Sequence, residues 1–385
     1  MKTRICVFTG SRAEYGLLYP LMKLLAVHAD FQLQLLVSGM HLSSEFGLTY
    51  KQIENDGFHI DEKVEVLLSA DSETAIAKST GIAMMGYADA LARLQPDWML
   101  VLGDRFEAFA AVSTAHLKRI PVIHLHGGEI TEGATDDALR HAITKMSYLH
   151  FTSTESHRNR VIQLGEDPSR VFNTGAIGID NIQGLKLLGR EELQQSIDFE
   201  IGDQCVLITF HPVTLEEQSA AAQIEELLAA LDAFPELRIV FTLPNADANG
   251  RVIIKRIESY VEQHRGRAKA YQSLGQLRYL SLMKHARAVV GNSSSGIIEG
   301  PALGKAVLDI GDRQKGRTRA ESVVNVAPLR SEITAGLAQI LSESFFDYAK
   351  TVTNPYGAGG TAPAIMAILG QYTGRPALKK KFFDL

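Results

Sequence analysis

The sequence predicts an α/β protein of two doubly wound domains with an interdomain cleft. Strand-like and helix-like segments alternate from one end of the chain to the other, as in βαβ units that form parallel sheets. The chain has 385 residues, which is too long for a single hydrophobic core. A glycine-rich stretch at 172–180 precedes a new series of strands near Gln204, so each half holds several strands.

The elements follow one another in a regular order. The predicted strands are short apolar runs at 4–8, 33–38, 98–102, 120–125, 148–152, 205–210, 237–242, 287–291 and 306–310. The predicted helices lie between them at 15–28, 73–94, 105–118, 136–147, 154–164, 216–233, 250–264, 276–286 and 295–303, and a last one lies at 362–373. We therefore predict an N-terminal domain at 1–175, a C-terminal domain at 176–360, and a helix and tail at 361–385 that pack back on the first domain. Within the tail, Lys379–Lys381 is predicted to be a solvated end.

The composition limits the possible partners. Apolar residues make up 45% of the chain and charged residues 22%, which is typical of a globular enzyme. The net charge of -5 argues against a nucleic-acid partner, so a local cluster of Arg and His would serve a small anionic ligand. Cys6 and Cys205 lie in apolar runs and are predicted to be buried, as expected for a reducing compartment.

The ends and the apolar runs bear on localisation. The first strand begins at Arg4, which leaves no room for a signal peptide. No apolar run reaches the roughly 18 residues that a membrane-spanning helix needs. We therefore expect a cytoplasmic protein with no membrane partner.

Polar residues follow two of the predicted strands, at 4–8 and at 98–102. The stretch Thr9–Gly16 is a strand, a glycine turn and a helix start, whose N–H groups favour a phosphate. It lacks the G-x-G-x-x-G spacing of dinucleotide sites. Arg12 could bind that phosphate, or it could pair with Glu14 on the surface. After the strand at 98–102, Asp104 and Arg105 emerge at the same edge, and Asp104 could also cap the next helix.

The densest group of ionisable residues lies at 124–141, directly after a buried strand, where ligands of open α/β sheets bind. His126 and Glu129 lie on its loop and are candidates for acid–base catalysis. His124 lies at the strand end and is expected to be a supporting residue in the core. A metal is not favoured, because the chain has neither H-E-x-x-H nor a cysteine cluster.

The helix that starts near Thr135 carries two charged pairs with a spacing of four residues. Asp136 and Arg140 form one pair, and Asp137 and His141 form the other, so each pair shares one helix face. Surface ion pairs would explain them, but their place after the glycine-rich loop favours an active-site face.

The second half carries a complementary set of residues. His211 lies at the end of the strand that begins at Cys205. The stretch Val289–Glu299 is a strand, a serine–glycine turn and a helix, whose hydroxyls and amides could hold a diphosphate while Glu299 binds a ribose diol. A serine-rich N-cap with a capping acid is the alternative. Arg313 adds positive charge after the next strand.

Together, seven stretches resemble the hydrolysing UDP-N-acetylglucosamine 2-epimerases that make N-acetylmannosamine for sialic acid synthesis. They are Thr9–Gly16, Gly103–Arg105, His124–Glu129, Asp136–Lys145, Phe210–Pro212, Asn292–Glu299 and Gly311–Gly316. They span roughly residues 3–330 in the order that the family has. The resemblance implies two Rossmann-like domains of glycosyltransferase-B type, with the active site in the interdomain cleft and no cofactor. It also implies a UDP-sugar as the bound partner, and we expect a homodimer or homotetramer.

The resemblance also implies roles for individual residues. The UDP would be bound by Arg12, Gly16, Arg105, His211, Asn245, Ser273, Ser293, Ser294, Ser295, Glu299 and Arg313. The segment Tyr271–Tyr279 would border the uracil. Catalysis would fall to Asp104, His126, Glu129, Asp136, Arg140 and His211, with Arg12, His211 and Arg313 supplying cationic stabilisation. Many relatives carry a glutamate at the position of His126, so the resemblance leaves His126 and Glu129 as alternatives for that role.

Three functions are compatible with these motifs. The first is the hydrolysing 2-epimerase, acting on UDP-N-acetylglucosamine or on a UDP-2,4-diacetamido-2,4,6-trideoxy sugar. The second is a glycosyltransferase of the same fold, which would need an acceptor platform that the sequence does not display. The third is a nucleotide-sugar sensor, which would be expected to lack the carboxylates Asp104, Glu129 and Asp136.

Overall fold

The computed structural model describes residues 2–68, 72–131, 135–212, 220–244 and 250–385. The strands are β1 Thr3–Thr9, β2 Phe31–Ser38, β3 Glu62–Val64, β4 Trp98–Leu102, β5 Val122–Leu125, β6 Leu149–Thr152, β7 Val171–Asn173, β8 Cys205–Thr209, β9 Arg238–Thr242, β10 Ala268–Tyr271, β11 Ala288–Gly291, β12 Ala306–Ile310 and β13 Val323–Val326. The helices are α1 Arg12–Val27, α2 Tyr50–Asn55, α3 Glu73–Leu94, α4 Phe106–Leu117, α5 Thr135–Met146, α6 Glu155–Gln163, α7 Gly178–Gly184, α8 Arg190–Ile197, α9 Ala220–Leu231, α10 Gly250–Gln263, α11 Gly275–His285, α12 Ser294–Ala302, α13 Arg330–Leu341, α14 Glu343–Ala349 and α15 Thr361–Leu369. Short 3₁₀ turns lie at Gly39–Leu42 and Pro168–Arg170.

The chain divides into two compact units. The first comprises Met1–Glu129, Thr135–Asn181 and Gly359–Leu385, and the second is built chiefly from Ile182–Ala358. The break at Asn181 lies inside α7, and the chain returns to the first unit just before α15. None of the described helices is both long and apolar enough to cross a membrane.

Each unit has one parallel sheet. Among the described residues, the first sheet has the order β3-β2-β1-β4-β5-β6-β7 and the second has the order β10-β9-β8-β11-β12-β13. All the strand pairs are parallel. Both orders follow the doubly wound pattern. In this pattern the chain adds its first three strands toward one edge of the sheet and then returns to add the fourth strand on the other side of the first. The switch point is therefore between β1 and β4 in the first unit and between β8 and β11 in the second.

The sheet of the first unit is buried on both faces. In β1, Ile5 and Val7 pack among apolar residues of α1 and α15, whereas Cys6 and Phe8 pack against α3 and α4. Because successive side chains of a strand point to opposite faces, both faces need apolar residues, which explains the continuous apolar run in the sequence. Cys6 and Cys205 are both free and buried, as predicted.

The second unit is built in the same way. Apolar residues of α9, α10 and α13 cover one face of its sheet, and apolar residues of α8 and α11 cover the other. In β8, Val206 and Ile208 face the first group, whereas Cys205 and Leu207 face the second. The two faces together leave the strand ends as the places where polar side chains can gather.

The C-terminal helix is tied to the first unit by Asp180. The carboxylate of Asp180 accepts the backbone N–H groups of Thr361 and Ala362 at 2.9 and 2.6 Å. These N–H groups have no partner within their own helix, and a negative charge at the helix N-terminus is favourable. Helix α15 then lays Ile365 and Leu369 into the core beside α1.

In the lysine run near the C terminus, Lys379 and Lys381 are exposed as predicted, whereas Lys380 is not, which corrects the prediction for that residue. Lys380 donates from its Nζ to Glu166 Oε2 at 2.7 Å and to the backbone oxygens of Ser147 and Lys145 at 2.6 and 2.9 Å. Glu166 is almost fully buried and also bonds His150. The run could not reveal this, because the partners are more than 200 residues away.

We expect Lys380→Ala to destabilise the first unit by about 1.5–3 kcal/mol at neutral pH, since it removes a charged donor from a buried carboxylate. Burial acts to raise the pKa of Glu166, but His150 and the two lysines outweigh it and lower that pKa to about 2. The stabilisation is therefore present above the ordinary pKa of 4.5 and is lost as the pH falls toward 2. Urea unfolding curves at pH 7 and pH 3 measure this loss.

The exposed neighbour Lys379 supplies the control. Lys379→Ala should leave the unfolding midpoint unchanged at both values of pH. If Lys380→Ala and Lys379→Ala behave alike at pH 7, the ion pair with Glu166 contributes nothing to stability.

Candidate active site

Several stretches that carry predicted site residues follow strands at the switch point of each sheet or next to it. In the first unit, Gly10 follows β1, Asp104 follows β4 and His126 follows β5. In the second unit, His211 follows β8 and Asn292 follows β11. These are the places where loops from adjacent strands separate, so that a ligand can reach backbone and side-chain groups of both.

Arg140 organises the charged residues of the first unit. Its side chain is only 3% exposed and forms ion pairs with Asp104 and, at 3.0 Å, with Asp137. The same guanidinium donates to the backbone oxygen of Glu129 at 2.9 Å. A buried arginine needs such partners, because an unpaired buried charge is costly. The loop after β4, helix α5 and the loop after β5 thus meet at one residue.

Two expectations about these charges need correction. The described ion pair of Arg140 within α5 is with Asp137, three residues away, and not with Asp136. Asp137 also lies 3.5 Å from His141, the predicted partner. Asp104 does not cap α4, because Arg105 occupies the N-cap position. The carboxylate of Asp104 is instead directed to Arg140.

Asp136 lies at the start of α5, where solvent still reaches it. Incomplete hydration and the negative charge of Asp104 raise the pKa of Asp136 to about 6, although Arg105 and Arg140 oppose the shift. A carboxyl group with this pKa exchanges its proton near neutral pH, which suits acid–base chemistry.

His126 and Glu129, which the sequence leaves as alternatives, are bonded to each other. Nδ1 of His126 lies 2.9 Å from Oε1 of Glu129. On its other side, Nε2 of His126 accepts the backbone N–H of Ile177 at 3.4 Å. His126 has a left-handed backbone with φ of 64°, which is uncommon outside glycine and holds the ring at this angle.

His124 is a core residue, as the sequence predicts. It is fully buried, and its ring bonds the backbone oxygen of Gly103 at 2.9 Å and the hydroxyl of Thr144 at 3.1 Å. Burial lowers the pKa of His124 to about 3, so the ring is neutral. It connects β5 to the turn that presents Asp104.

Two buried glutamates that the sequence analysis did not select lie beside Arg105. Glu107 is fully buried and bonds the guanidinium of Arg105 at 3.0 Å. Glu14 accepts the backbone N–H of Gly10 at 2.7 Å, so this N–H of the predicted phosphate turn already has a carboxylate partner. Burial raises the pKa of Glu14 to about 7, while Arg105 opposes the shift. Glu107 follows the motif Gly103–Arg105 by two residues, and Glu14 lies within the motif Thr9–Gly16. These positions are the signal that could have identified them.

The remaining predicted residues of this turn are placed differently. Arg12 is exposed at the first position of α1, whereas Glu14 is buried, so the alternative surface pair between them is not among the described contacts. The backbone oxygen of Gly16 accepts a hydrogen bond from Asn181 at 2.8 Å, which ties α1 to α7. Burial would lower the pKa of Arg105, but Glu107 and Glu14 hold it above its ordinary value.

In the second unit, Asn292 connects the loops that carry the predicted UDP-binding residues. It accepts the backbone N–H of His211 at 2.7 Å and donates to the backbone oxygen of His211 at 2.8 Å. The backbone oxygen of Asn292 accepts bonds from Arg313 at 3.0 Å and from Gln314 at 2.9 Å. Burial and the charge of Arg313 lower the pKa of His211 to about 3, so it is a neutral ring and not the cation expected from the sequence.

The serine-rich turn contains an N-cap, which is one of the two interpretations that the sequence left open. Ser293 is the N-cap of α12 and accepts the N–H of Ser295 at 3.4 Å, and Ser294 opens the helix. The hydroxyl of Ser295 donates to Glu299, whose pKa burial raises to about 7. Burial and the charge of Glu299 likewise raise the pKa of Tyr279 to about 12. The helix start is therefore capped, and an acid stands one turn inside it.

Two further predicted residues complete the account. The hydroxyl of Ser273 accepts the N–H of Gly275 at the start of α11, 3.1 Å away. Asn245 lies outside the described residues. Over the described parts of the chain, no group of three or more His, Cys, Asp or Glu residues is arranged to hold a metal ion.

A family model described as UDP-N-acetylglucosamine 2-epimerase matches residues 23–370. The chain belongs to this family. The predicted family is thereby confirmed, and so is the fold class of two doubly wound units, which solved 2-epimerases share.

Three relatives are similar to this chain over most of their length. The GDP/UDP-N,N'-diacetylbacillosamine 2-epimerase (hydrolyzing) of Campylobacter jejuni is 41% identical over 324 residues, which is 84% of each chain. The polysialic acid biosynthesis protein P7 of Escherichia coli is 38% identical over 354 residues, covering 92% of this chain and 90% of that one. The UDP-N,N'-diacetylbacillosamine 2-epimerase (hydrolyzing) of Legionella pneumophila is 34% identical over 369 residues, which is 96% of each chain.

A solved structure supports the fold of the epimerase. The UDP-GlcNAc 2-epimerase from Neisseria meningitidis, bound to UDP-GlcNAc, superposes with a TM-score of 0.82 at 22% identity. The match covers 96% of this chain and 100% of that one.

Proposed function

We propose that this epimerase is a hydrolysing enzyme that converts UDP-N-acetylglucosamine and water into N-acetylmannosamine and UDP. The observation that carries the proposal is the cluster around Arg140, which gathers Asp104, Asp137 and the backbone of Glu129 at one switch point. Asp136 lies beside it with a pKa near 6. Several carboxylates and a histidine in one place suit a reaction that moves protons on two faces of a sugar.

The first step must make C2–H acidic, because a C–H between an N-acetyl group and an ether carbon hardly ionises. Departure of UDP from C1 builds positive charge on C1 and the ring oxygen, which acidifies C2–H. We propose that Asp136 takes the C2 proton. The electron pair of that C–H bond forms the C1=C2 double bond, and the C1–O bond breaks anti to it. The products are UDP and 2-acetamidoglucal.

The second step adds water across the double bond. A proton is delivered to C2 on the opposite face while water attacks C1 and loses a proton, which gives the manno configuration. We propose that the bonded pair of His126 and Glu129 moves these protons, and that Asp136 releases its own to solvent. The negative charge of Asp104 stabilises the positive charge that develops at C1.

Loss of UDP requires stabilisation of a diphosphate, which we assign to the second unit. Arg313 supplies a positive charge, and the N-terminus of α12 at Ser293 supplies N–H groups and a favourable dipole. Neutral His211 would donate a hydrogen bond. Glu299 would accept the ribose hydroxyls.

One experiment tests the reaction directly. The protein is incubated with UDP-N-acetylglucosamine in deuterated water, and the products are followed by NMR. We expect free N-acetylmannosamine with deuterium at C2, together with UDP. Retention of the intact nucleotide sugar when no acceptor is present would contradict the proposal and favour a glycosyltransferase.

A second candidate substrate is UDP-N,N'-diacetylbacillosamine, because the relatives from Campylobacter jejuni and Legionella pneumophila carry that name at 41% and 34% identity. The reaction steps would be the same, since they involve only C1 and C2. The two nucleotide sugars are therefore compared at equal concentration. A higher kcat/KM for the diacetyl sugar would replace the first substrate by the second and leave the reaction type unchanged.

The raised pKa of Asp136 predicts the pH dependence of the reaction. A base must be ionised, and a carboxyl group with a pKa of about 6 becomes protonated as the pH falls through that value. We expect kcat/KM to be constant near pH 7.5 and to fall about tenfold per pH unit below pH 6. A profile that stays flat down to the ordinary carboxyl range would exclude Asp136 as the base.

A further inference from the structure

We propose that Ser153 and His157 are positioning residues that hold the carboxylate of Glu129 through a buried chain of hydrogen bonds. The chain runs from His157 through Ser153 to Glu129 and ends at His126. This inference rests on the proposed function, because it assigns Glu129 and His126 to proton transfer. None of the sequence motifs includes Ser153, which lies between β6 and α6, or His157, which lies in the first turn of α6.

The distances form a continuous chain. The hydroxyl of Ser153 donates to Oε1 of Glu129 at 2.8 Å and lies 2.9 Å from Nδ1 of His157. The same Oε1 atom lies 2.9 Å from Nδ1 of His126. Ser153, His157 and Glu129 are all buried, with exposed fractions of 0%, 1% and 4%. Hydrogen bonds in such a place are strong, and those to an ionised acceptor are the strongest.

The direction of each hydrogen bond follows from its neighbours. The N–H of Ile177 points at Nε2 of His126, so Nε2 accepts and the proton of the neutral ring is on Nδ1, facing Glu129. Ser153 has one hydroxyl proton, which goes to Glu129, so Nδ1–H of His157 must be the donor to the Ser153 oxygen. Every proton in the chain is thus directed toward Glu129.

The start of helix α6 leaves Ser153 and His157 little freedom to move. Thr154 caps the helix and accepts the backbone N–H of His157 at 3.2 Å. The loop of Glu129 lies directly on this helix, since a Cβ at Gly128 would collide with the backbone oxygen of His157, and Arg160 bonds the backbone oxygen of Gly128. From α5, Arg140 holds the backbone oxygen of Glu129. Backbone and side chain of Glu129 are therefore fixed from two helices.

This arrangement has a consequence for the rate that simple packing would not have. If Ser153 and His157 only filled space, any residue of similar shape would serve. If they align the Glu129 carboxylate, the N–H at the Nδ1 position of residue 157 is required. Asparagine places an amide N–H close to that position, whereas leucine has a similar size and no donor.

The first test compares variants of these two residues. We expect Ser153→Ala and His157→Leu to lower kcat by about 10- to 100-fold with little change in KM. His157→Asn should recover most of the rate. The control is Ser147→Ala, because Ser147 is equally buried and its hydroxyl bonds only the backbone oxygen of Ile143 among the described contacts. If His157→Leu and His157→Asn have equal kcat values, the chain does not position Glu129. The His157 pair decides this even where Ser153→Ala does not fold.

The second test does not depend on turnover. In ¹⁵N NMR of the histidine side chains at pH 7.5, we expect His126 and His157 as neutral rings with the proton on Nδ1. The signals of each ring are assigned by their absence from the spectra of His126→Asn and His157→Asn. A proton on Nε2 of either ring would overturn the chain, whatever the enzyme does. Failure of the wild-type protein to hydrolyse either UDP-sugar would instead overturn the proposed function and leave this readout standing.

Discussion

Asp104→Asn is expected to lower kcat by about 10²–10³-fold, because it removes a negative charge that stabilises the positive charge developing at C1. It also removes the ion-pair partner of Arg140, a residue that is only 3% exposed. UDP binding should change by less than about threefold in Kd, since Arg313 and the N-terminus of α12, to which we assign the diphosphate, are carried by the second unit. Steady-state kinetics followed by NMR give kcat, and calorimetric titration with UDP gives Kd.

The residual activity of Asp104→Asn carries a second signature. The negative charge of Asp104 contributes to the raised pKa of Asp136. Without that charge the pKa of Asp136 should fall, so the acid limb of kcat/KM should move to lower pH. A near-normal kcat in this variant would show that Asp104 takes no part in the reaction.

Glu129→Gln should be far more harmful than His126→Asn. The glutamine cannot take up a proton, so kcat should fall by about 10²–10³-fold. Asparagine tolerates the left-handed backbone of residue 126 and retains an N–H toward Glu129, so its cost should be about tenfold. Steady-state kinetics at pH 7.5 compare the two.

His124→Asn serves as the matched control for the histidine change. His124 is a neutral core histidine that bonds a backbone oxygen and a threonine hydroxyl, so its loss should lower the unfolding temperature more than the rate of the folded enzyme. If His126→Asn loses as much kcat as Glu129→Gln, then His126 and not Glu129 is the principal proton carrier.

The central strands of both sheets could be predicted from the sequence, whereas the edge strands could not. Strands such as β4 and β12 are buried at every residue and appear as continuous apolar runs. The strands that the prediction omitted, β3, β7, β10 and β13, are the two edges of each sheet. They are short and partly exposed, so a run such as Lys269–Tyr271 lacks the pattern. Edge strands are identified by pairing, which only the folded chain displays.

The helices show the same division. Helix α3 has the predicted bounds, because its apolar spacing and the capping Ser72 are both local signals. Helices α2, α7, α8, α13 and α14 were not among the predicted elements. Helix α8, for example, is only eight residues long with two buried residues, which is too few for a periodic signal.

The candidate site residues were predictable where a motif follows a buried strand. Asp104, His126, Glu129 and Arg140 were identified in this way, because the carboxyl ends of parallel strands meet at one edge of a sheet. Their partners were not predictable. Whether Arg140 pairs with Asp136 or Asp137 depends on side-chain angles, and the bond between His126 and Glu129 depends on a left-handed turn.

The sequence by itself determined the fold class, the family and the strand ends at which the polar residues gather, because these follow from local apolar patterns and from motifs in a known order. The tertiary structure decided which of those residues act together. It joined His126 to Glu129, placed Glu107 against Arg105, and brought Ser153 and Lys380 to buried carboxylates. The physical reason is that a buried charge or hydrogen bond takes whichever partner the packed chain brings within about 3 Å, however far away it lies in the sequence.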